Sequence, residues 1–488
     1  MPQTSDIHIR KLNNVHAIID CDQGIAQELH EHFSYFAPNY AWSPAYKYRG
    51  WNGKLYEFRL KDHTIRAGLI HEVLKFAKNR DYSISQDGSF GYTEFSVKEA
   101  EDFIKTLNIP EKYTPRDYQI KAFVTCIREG RSIQLAPTSS GKSLLQYLIC
   151  RYYIDVMGSK CLVIVPTIAL VAQMSGDFRD YGYKERIHQI TSGVAKSAEV
   201  DITISTYHSL VKQDKYYFDQ YQLVMVDEVH LGEAKSITST MDKCLEAPNR
   251  FGLTGTLTDS KTSEMALTGM FGKIHKVITT AELMDQGFVA DLKIKCLVLE
   301  HPEESRKALH KKTYQDEIKF LINSPSRNKF IVNLGLSLQG NSLILFRIND
   351  HGKYLYEQLK SSVKEGRNVY FVNGGTEKED REYIRKIIEE EDDAIIVGSK
   401  GTMSTGSNTK KLHNLISAHP NKGKIINLQS IGRALRLASG KTSSTFFDIA
   451  DDLSWKGSKN HTLNHLIERI KIYIEEKFNY KMYRITLK

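Results

Sequence analysis

Two rhythms of apolar residues alternate along most of this chain. Short runs rich in Val, Ile and Leu, such as SIQLAPT, CLVIVPT, DITISTY and YQLVMVDE, are separated by stretches whose apolar positions recur at helical spacing, such as KSLLQYLICRYYID and IALVAQMSGDFRDY. A compact apolar run predicts a strand buried on both faces, and its alternation with helices predicts a parallel sheet covered on each side. The rhythm resumes with NSLILFRI, NVYFVNG, DAIIVGS and KIINLQS, the last followed by the helical IGRALRLA. The chain therefore reads as α/β, with two tandem parallel-sheet domains over residues 110–291 and 292–454. Residues 1–109 break the rhythm: they are aromatic-rich, with strand-like runs interrupted by Gly and Pro and a helical stretch from Ile65 to Lys78, which predicts a small α+β domain. Residues 455–488 read as a basic amphipathic helix and tail with a short apolar end.

At roughly 150 residues per domain, 488 residues allow about three domains. Charged residues are 26% and apolar residues 41% of the chain, a globular composition that excludes wholesale disorder. Lys and Arg number 67 against 58 Asp and Glu, a net +9 that identifies no polyanion ligand unless it is concentrated. It is concentrated: between Ser399 and Phe447 there are eight Lys or Arg and no acid. The six cysteines are scattered without metal-ligand spacing and are expected as reduced core residues. The best apolar run, Cys161 to Met174, is interrupted by Pro166 and is too short to span a bilayer, so a soluble, cytoplasmic protein with no membrane partner is expected.

Candidate chemistry begins at Ala136-Pro137-Thr138-Ser139-Ser140-Gly141-Lys142-Ser143, which follows a predicted strand and opens a predicted helix. In that context, loop and helix-start N–H groups cradle phosphates at the positive end of the helix dipole. Lys142 would reach the β and γ phosphates of ATP, and the Ser143 hydroxyl would ligand Mg²⁺. Ala136 stands where the usual pattern has its first glycine. A second strand ends in Asp227-Glu228, with Asp227 placed to hold Mg²⁺ and Glu228 to orient or deprotonate the attacking water. Gln429, Gly432, Arg433 and Arg436 recur at helical spacing, a polar stripe on which both arginines could serve as fingers to the γ-phosphate.

These segments, with the Thr254-Gly255-Thr256 step, stand in the order of motifs I, II, III and VI of the superfamily 2 DExH helicases, and the chain is identified by resemblance as a member. The resemblance implies two RecA-like domains with ATP and Mg²⁺ at their seam. It makes Arg116 and Gln119 the adenine-side residues, and Gly406 a further nucleotide-side residue. It places Pro166, Thr167, Ser205, Thr206, Gly374, Arg381, Ser399 and Thr402 along a nucleic-acid strand. Ser407-Asn408 replaces the acid usual in motif V. The flanking segments resemble the recombination and repair branch found in T-even phages. That likeness implies 3′–5′ movement on branched or duplex DNA and RNA–DNA hybrids, Holliday-junction migration, fork regression, R-loop unwinding, phage recombination partners, a monomer and the host cytoplasm. From the residues alone, an RNA-remodelling helicase and a non-catalytic nucleotide-gated clamp remain the alternatives.

In the N-terminal region, aromatic and basic residues alternate between Tyr40 and Arg66. On strands this would stack bases and neutralise phosphates, with Arg49, Lys54 and Trp51, the last at a Gly50–Gly53 hairpin tip, as the expected contacts.

Overall fold

The computed structural model describes residues 5–37, 39–88, 92–191, 194, 197–230, 234–257, 261–404, 411–420, 441 and 443–488; side chains 234–235, 261–263, 378, 381–382, 385, 388 and 404 are also outside the description. Contacts divide the chain into two units, Met1–Ala136 with Gly141–Ile278, and Pro137–Ser140 with Thr279–Lys488.

The first unit opens with β1 (Ile7–Lys11), β2 (His16–Cys21), β3 (Ser34–Phe36), β4 (Lys54–Tyr56), β5 (Thr64–Arg66) and β6 (Ile84–Gln86). Four of them form a sheet in the order β5-β2-β1-β6, and β3 pairs with β4 apart from it. Alternating burial along β1 and β2 turns Ile7, Ile9, Ala17 and Ile19 onto the helices Gln23–His32 and Ile70–Lys78, with Phe33, Phe58 and Phe76 filling the space between. The segment 40–48 is helical, not a strand: Ser43 caps the short helix Pro44–Tyr48, whose first position holds the proline.

This small domain docks on the sheet that follows. Arg66 donates to Glu57 (2.8 Å) and to Asp242 (3.1 Å), and Asn14 Nδ2 donates to Leu245 O at 2.8 Å. A Cβ at Gly68 would collide with the backbone of Thr268 and Gly269, so only glycine permits this approach.

The following sheet comprises β7 (Arg131–Leu135), β8 (Cys161–Val165), β9 (Ile187–Ile190), β10 (Ile202–Thr206), β11 (Leu223–Asp227), β12 (Asn249–Thr254) and β13 (Ile274–Lys276). All neighbours are parallel, in the order β13-β7-β12-β11-β8-β10-β9. Strands β8, β10 and β11 are buried at every position, because helices cover both faces with separate apolar clusters. The order places β7, β12, β11 and β8 side by side, and their C-terminal ends share one edge of the sheet.

The second unit repeats the design with β14 (Asp291–Glu300), β15 (Ser342–Phe346), β16 (Val369–Val372), β17 (Ile395–Ser399), β18 (Asn414–Ser417), β19 (Ser443–Asp452) and β20 (Tyr480–Thr486), all parallel in the order β16-β17-β15-β18-β19-β14-β20. The two parallel sheets are tandem RecA-like domains. The C-terminal tail supplies the helix His461–Glu475 and then an edge strand of this sheet. Asp448 accepts from Arg469 Nε (2.8 Å) and Tyr473 OH (2.9 Å), which fastens that helix to β19. The six cysteines are free thiols, five of them buried. Among the described residues no helix is long and apolar enough to cross a membrane.

Candidate functional site

The phosphate loop joins β7 to the helix Lys142–Asp155. Ser139 (φ 70°) and Gly141 (φ 79°) hold left-handed conformations on either side of Ser140, the kind of backbone from which anion-binding nests are made. Gly141 is required twice over: for its φ, and because a Cβ there would run into the Gln119 amide. Gln119 Nε2 donates to Gly141 O at 3.1 Å, while Gln119 Oε1 accepts from Arg116 N–H at 2.8 Å. The segment that carries Arg116 and Gln119 is thereby tied to the loop through a buried amide.

Lys142 Nζ donates to Ala136 O at 3.1 Å and lies 3.5 Å from Glu228 Oε1. The loop lysine and the second carboxylate of the strand end, predicted separately, therefore meet. The Ser143 hydroxyl is 2.8 Å from that of Tyr181. At the end of β11, Asp227 is buried, and among the described residues its Oδ1 has no hydrogen-bond partner. Burial, then the neighbouring Glu228 charge, push Asp227 up to about 7. Burial also works to raise Glu228, but Lys142, His230 and the Gly255 N–H together hold it below the usual carboxylate range. The environments thus pull two adjacent acids apart, leaving Glu228 ionised and able to accept a proton or orient water.

Glu228 itself sits at φ 48°, a sparsely populated conformation for a residue with a side chain. Val229 N–H holds the turn by donating to Leu253 O at 3.1 Å. Glu228 Oε2 accepts from Gly255 N–H at 3.4 Å and lies 3.4 Å from His230 Nδ1. His230 Nδ1 is in turn 2.5 Å from the Thr254 hydroxyl, which donates to Thr256 O at 2.8 Å. Burial drives the imidazole toward its neutral form in spite of Glu228. His230 and Thr254 stand in segments the sequence singles out, yet spacing assigns them no role; only the adjacency of β11 and β12 makes them partners.

Mg²⁺ takes hard oxygen ligands. The Ser143 hydroxyl and a buried Asp227 carboxylate with an unpartnered oxygen suit that donor set. Gly406, Gln429, Arg433 and Arg436 lie outside the described residues, as does the side chain of Arg381.

The expected strand-contacting residues fall at C-terminal strand ends. Pro166 and Thr167 follow β8, and Thr167 Oγ1 accepts from Leu170 N–H at 3.3 Å as a helix cap. Ser205 is fully buried, and its hydroxyl donates to Thr206 O, so any contact there falls to the backbone. Gly374 is exposed in the turn after β16, and Ser399 Oγ donates to Thr402 Oγ1 at 2.8 Å after β17.

Two sequence expectations meet partners that the sequence does not show. Trp51 is half-buried, with its indole N–H donating to Lys54 O at 3.0 Å, and Lys54 is ion-paired with Glu31 at 2.7 Å. Trp42 (77% exposed) and Tyr48 (82%) are the open rings, with Arg49 exposed beside them. The acid-free basic stretch is also less free than its composition implies. Lys400 and Lys441 are buried, and Lys411 pairs with Asp392 at 2.5 Å, an acid from outside the stretch. Lys400 Nζ donates to His419 O (3.2 Å) and Ser417 Oγ (3.4 Å).

Comparison with known proteins fits this geometry. Residues 6–87 match the family model "DNA helicase UvsW, N-terminal", and residues 112–259 match "Type III restriction enzyme, res subunit". The chain is 36% identical to the ATP-dependent DNA helicase uvsW of Enterobacteria phage T4, over 99% of this chain and 100% of that one. It is 27% identical to the DNA 3′-5′ translocase XPB2 of Sulfurisphaera tokodaii, over 44% of this chain and 48% of that protein. The crystal structure of T4 UvsW superposes with a TM-score of 0.54 at 33% identity, covering 99% of this chain and 100% of the other.

Proposed function

The chain belongs to the UvsW family of ATP-dependent DNA helicases, and from that premise we propose that it remodels branched DNA, migrating Holliday junctions, regressing forks and unwinding R-loops in phage recombination, repair and replication. The observation that carries the assignment of its engine is the meeting of Lys142 and Glu228 at 3.5 Å where β7 and β11 end. Lys142 binds the β and γ phosphates, and the loop from Pro137 through Thr138 to Ser143 wraps them. Arg116 and Gln119 flank the adenine, with Gly406 on the nucleotide side. Glu228 orients or deprotonates the attacking water, and Gln429, Arg433 and Arg436 reach the γ-phosphate from the second domain. Ser143 and Asp227 would hold Mg²⁺, which when bound neutralises charge on the phosphates.

Four parts follow: residues 1–109 select the substrate, residues 110–291 and 292–454 form the motor, and residues 455–488 are its basic C-terminal helix and tail. The nucleic-acid strand runs past Pro166, Thr167, Ser205, Thr206, Gly374, Arg381, Ser399 and Thr402, moving 3′–5′ as in the named archaeal translocase. Backbone contacts carry no base information, so selectivity is for structure, including RNA–DNA hybrids. The protein acts as a monomer in the host cytoplasm, alongside phage recombination proteins. Strand-displacement assays on four-way junctions, forks and R-loops test this reading. Faster turnover on linear single strands than on any branched substrate overturns it.

A further inference from the structure

Away from the phosphate loop, the seam between the small N-terminal domain and the first parallel sheet forms an open cavity of about 430 Å³. Both walls belong to the first unit and are fixed to each other by the Arg66, Asn14 and Gly68 contacts. The volume is that of a small-ligand site. Its walls carry Lys11, Arg128, Arg131 and Lys273, and Glu129 is their one carboxylate among the described residues. Glu129 is already engaged, 2.7 Å from His275 Nε2 and 3.9 Å from Lys273 Nζ. Lys11, Arg128 and Arg131 have no ion-pair partner among the described residues.

Cations that share one cavity without a carboxylate partner repel each other. Burial, with Arg131 next, depresses the Lys11 ammonium, and burial, with Arg250 next, takes Arg131 down to about 9. The cations are also held in place. Arg131 Nη2 donates to Asn14 O at 3.0 Å, and Arg128 Nε donates to Phe95 O at 2.7 Å. An anion entering here would relieve the repulsion without ordering long side chains.

An aromatic face completes the site. Tyr92 lines the cavity and is 60% exposed, with the Arg128 guanidinium 5.8 Å from its ring centroid. Thr93 N–H donates to Arg128 O at 3.0 Å, anchoring the tyrosine segment to the arginine helix. Cations beside an open ring are the recognition chemistry of one nucleotide, phosphate on the charges and base on the ring.

We propose that this cavity is a second nucleotide-unit site, binding a phosphate at Lys11, Arg128 and Arg131 and a base against Tyr92. The unit arrives either as part of a nucleic-acid strand or as a free nucleotide; the strand form rests on the DNA-helicase reading above.

The test uses the full chain with Lys11→Gln, Arg128→Gln and Tyr92→Ala, each checked for its melting temperature. Fluorescence anisotropy with a labelled single-stranded oligonucleotide reports the strand source. Calorimetric titration with dAMP, with the phosphate loop filled by ADP, reports the free source. A strand-derived unit weakens oligonucleotide binding roughly fivefold per charge removed and lowers the salt slope by about one. A free nucleotide leaves oligonucleotide binding unchanged and gives a dAMP heat that the variants lose. Variants matching the wild type with both probes overturn the proposal. If Arg128→Gln does not fold, Lys11→Glu at an exposed side chain decides. ATP hydrolysis of the unaltered chain is measured in parallel: its absence strikes the motor reading, while the two binding assays still judge the cavity.

Discussion

His230 Nδ1 and the Thr254 hydroxyl stand 2.5 Å apart, joining the turn after β11 to the end of β12. Because Thr254 also binds the 254–256 loop and Glu228 accepts from Gly255, this pair couples the Glu228 carboxylate to the neighbouring strand end. His230→Ala and Thr254→Ala are each expected to lower DNA-stimulated ATP hydrolysis roughly tenfold. Since both act through one contact, the double variant loses no more than the worse single one. Losses that multiply would show the two residues to act separately.

The 3.5 Å approach of Lys142 to Glu228 separates binding from chemistry. Glu228→Gln keeps the shape of the strand end but removes the charge, so ATP still binds while turnover falls about 100-fold or more. Lys142→Ala loses both, because the proposed phosphate contact disappears and the half-buried Glu228 loses its counter-charge. Binding of a fluorescent ATP analogue and release of phosphate measure the two effects. Unchanged turnover in both variants would refute the site.

How much of this was legible depends on where a residue sits in its sheet. The central strands β7, β8, β10, β11, β15 and β17 are buried on both faces, so their apolar runs announce them. Edge strands such as β13 and β20 are short or largely exposed and send no such signal. The pairing of β14 with β19 joins residues about 150 positions apart, which no local pattern encodes. At the site, the approach of Lys142 to Glu228 is foreshadowed in sequence because a phosphate-loop pattern and a strand-end acid pair have fixed local spacing. Gly50 and Gly53 signal a turn without saying which ring it exposes, so the half-buried Trp51 and the open Trp42 and Tyr48 look alike in sequence. Composition counts charges without showing which are buried, so Lys400 cannot be told there from an open lysine.

Burial takes the Lys400 ammonium down to about 7. The unfolded chain, with the ordinary lysine value near 10.5, then binds more protons than the folded one between about pH 7 and pH 10. Stability is therefore fully present above the unfolded value and is lost as pH falls toward 7, by an amount on the order of a few kcal/mol. Lys400→Met should remove this slope and stabilise the protein most at pH 6.5. Urea unfolding at pH 6.5 and pH 9 measures it; equal wild-type and variant slopes would show the ammonium to be solvated.

In the second unit, Asp451 accepts from Arg327 Nε at 2.9 Å and from His301 Nε2 at 2.9 Å, with both charged side chains fully buried. Burial alone would raise Asp451, and Arg327 reverses that. Arg327→Met leaves a carboxylate in the core without its main partner, at a cost of about 3–5 kcal/mol. Adding Asp451→Leu to Arg327→Met should recover part of that loss, because the stranded charge is gone. Urea midpoints of the three proteins decide, and a double variant less stable than Arg327→Met would contradict the assignment.

The N-terminal rings divide by exposure into two kinds, and their substitutions should separate accordingly. Trp42 and Tyr48 are open to solvent, and Lys47 lies 5.0 Å from the Trp42 ring centroid, so a base can stack there beside a cation. Trp42→Ala and Tyr48→Ala are expected to weaken single-stranded DNA binding by about 1–3 kcal/mol each while leaving the melting temperature unchanged. Trp51 instead closes the 50–53 turn through its bond to Lys54 O. Trp51→Phe removes that hydrogen bond but keeps most of the packing, so it should lower stability by roughly 1 kcal/mol and leave DNA affinity nearly intact. Anisotropy and thermal unfolding of the same three proteins distinguish the classes. A larger affinity loss at Trp51 than at Trp42 would move the stacking surface back to the turn tip that the sequence favours.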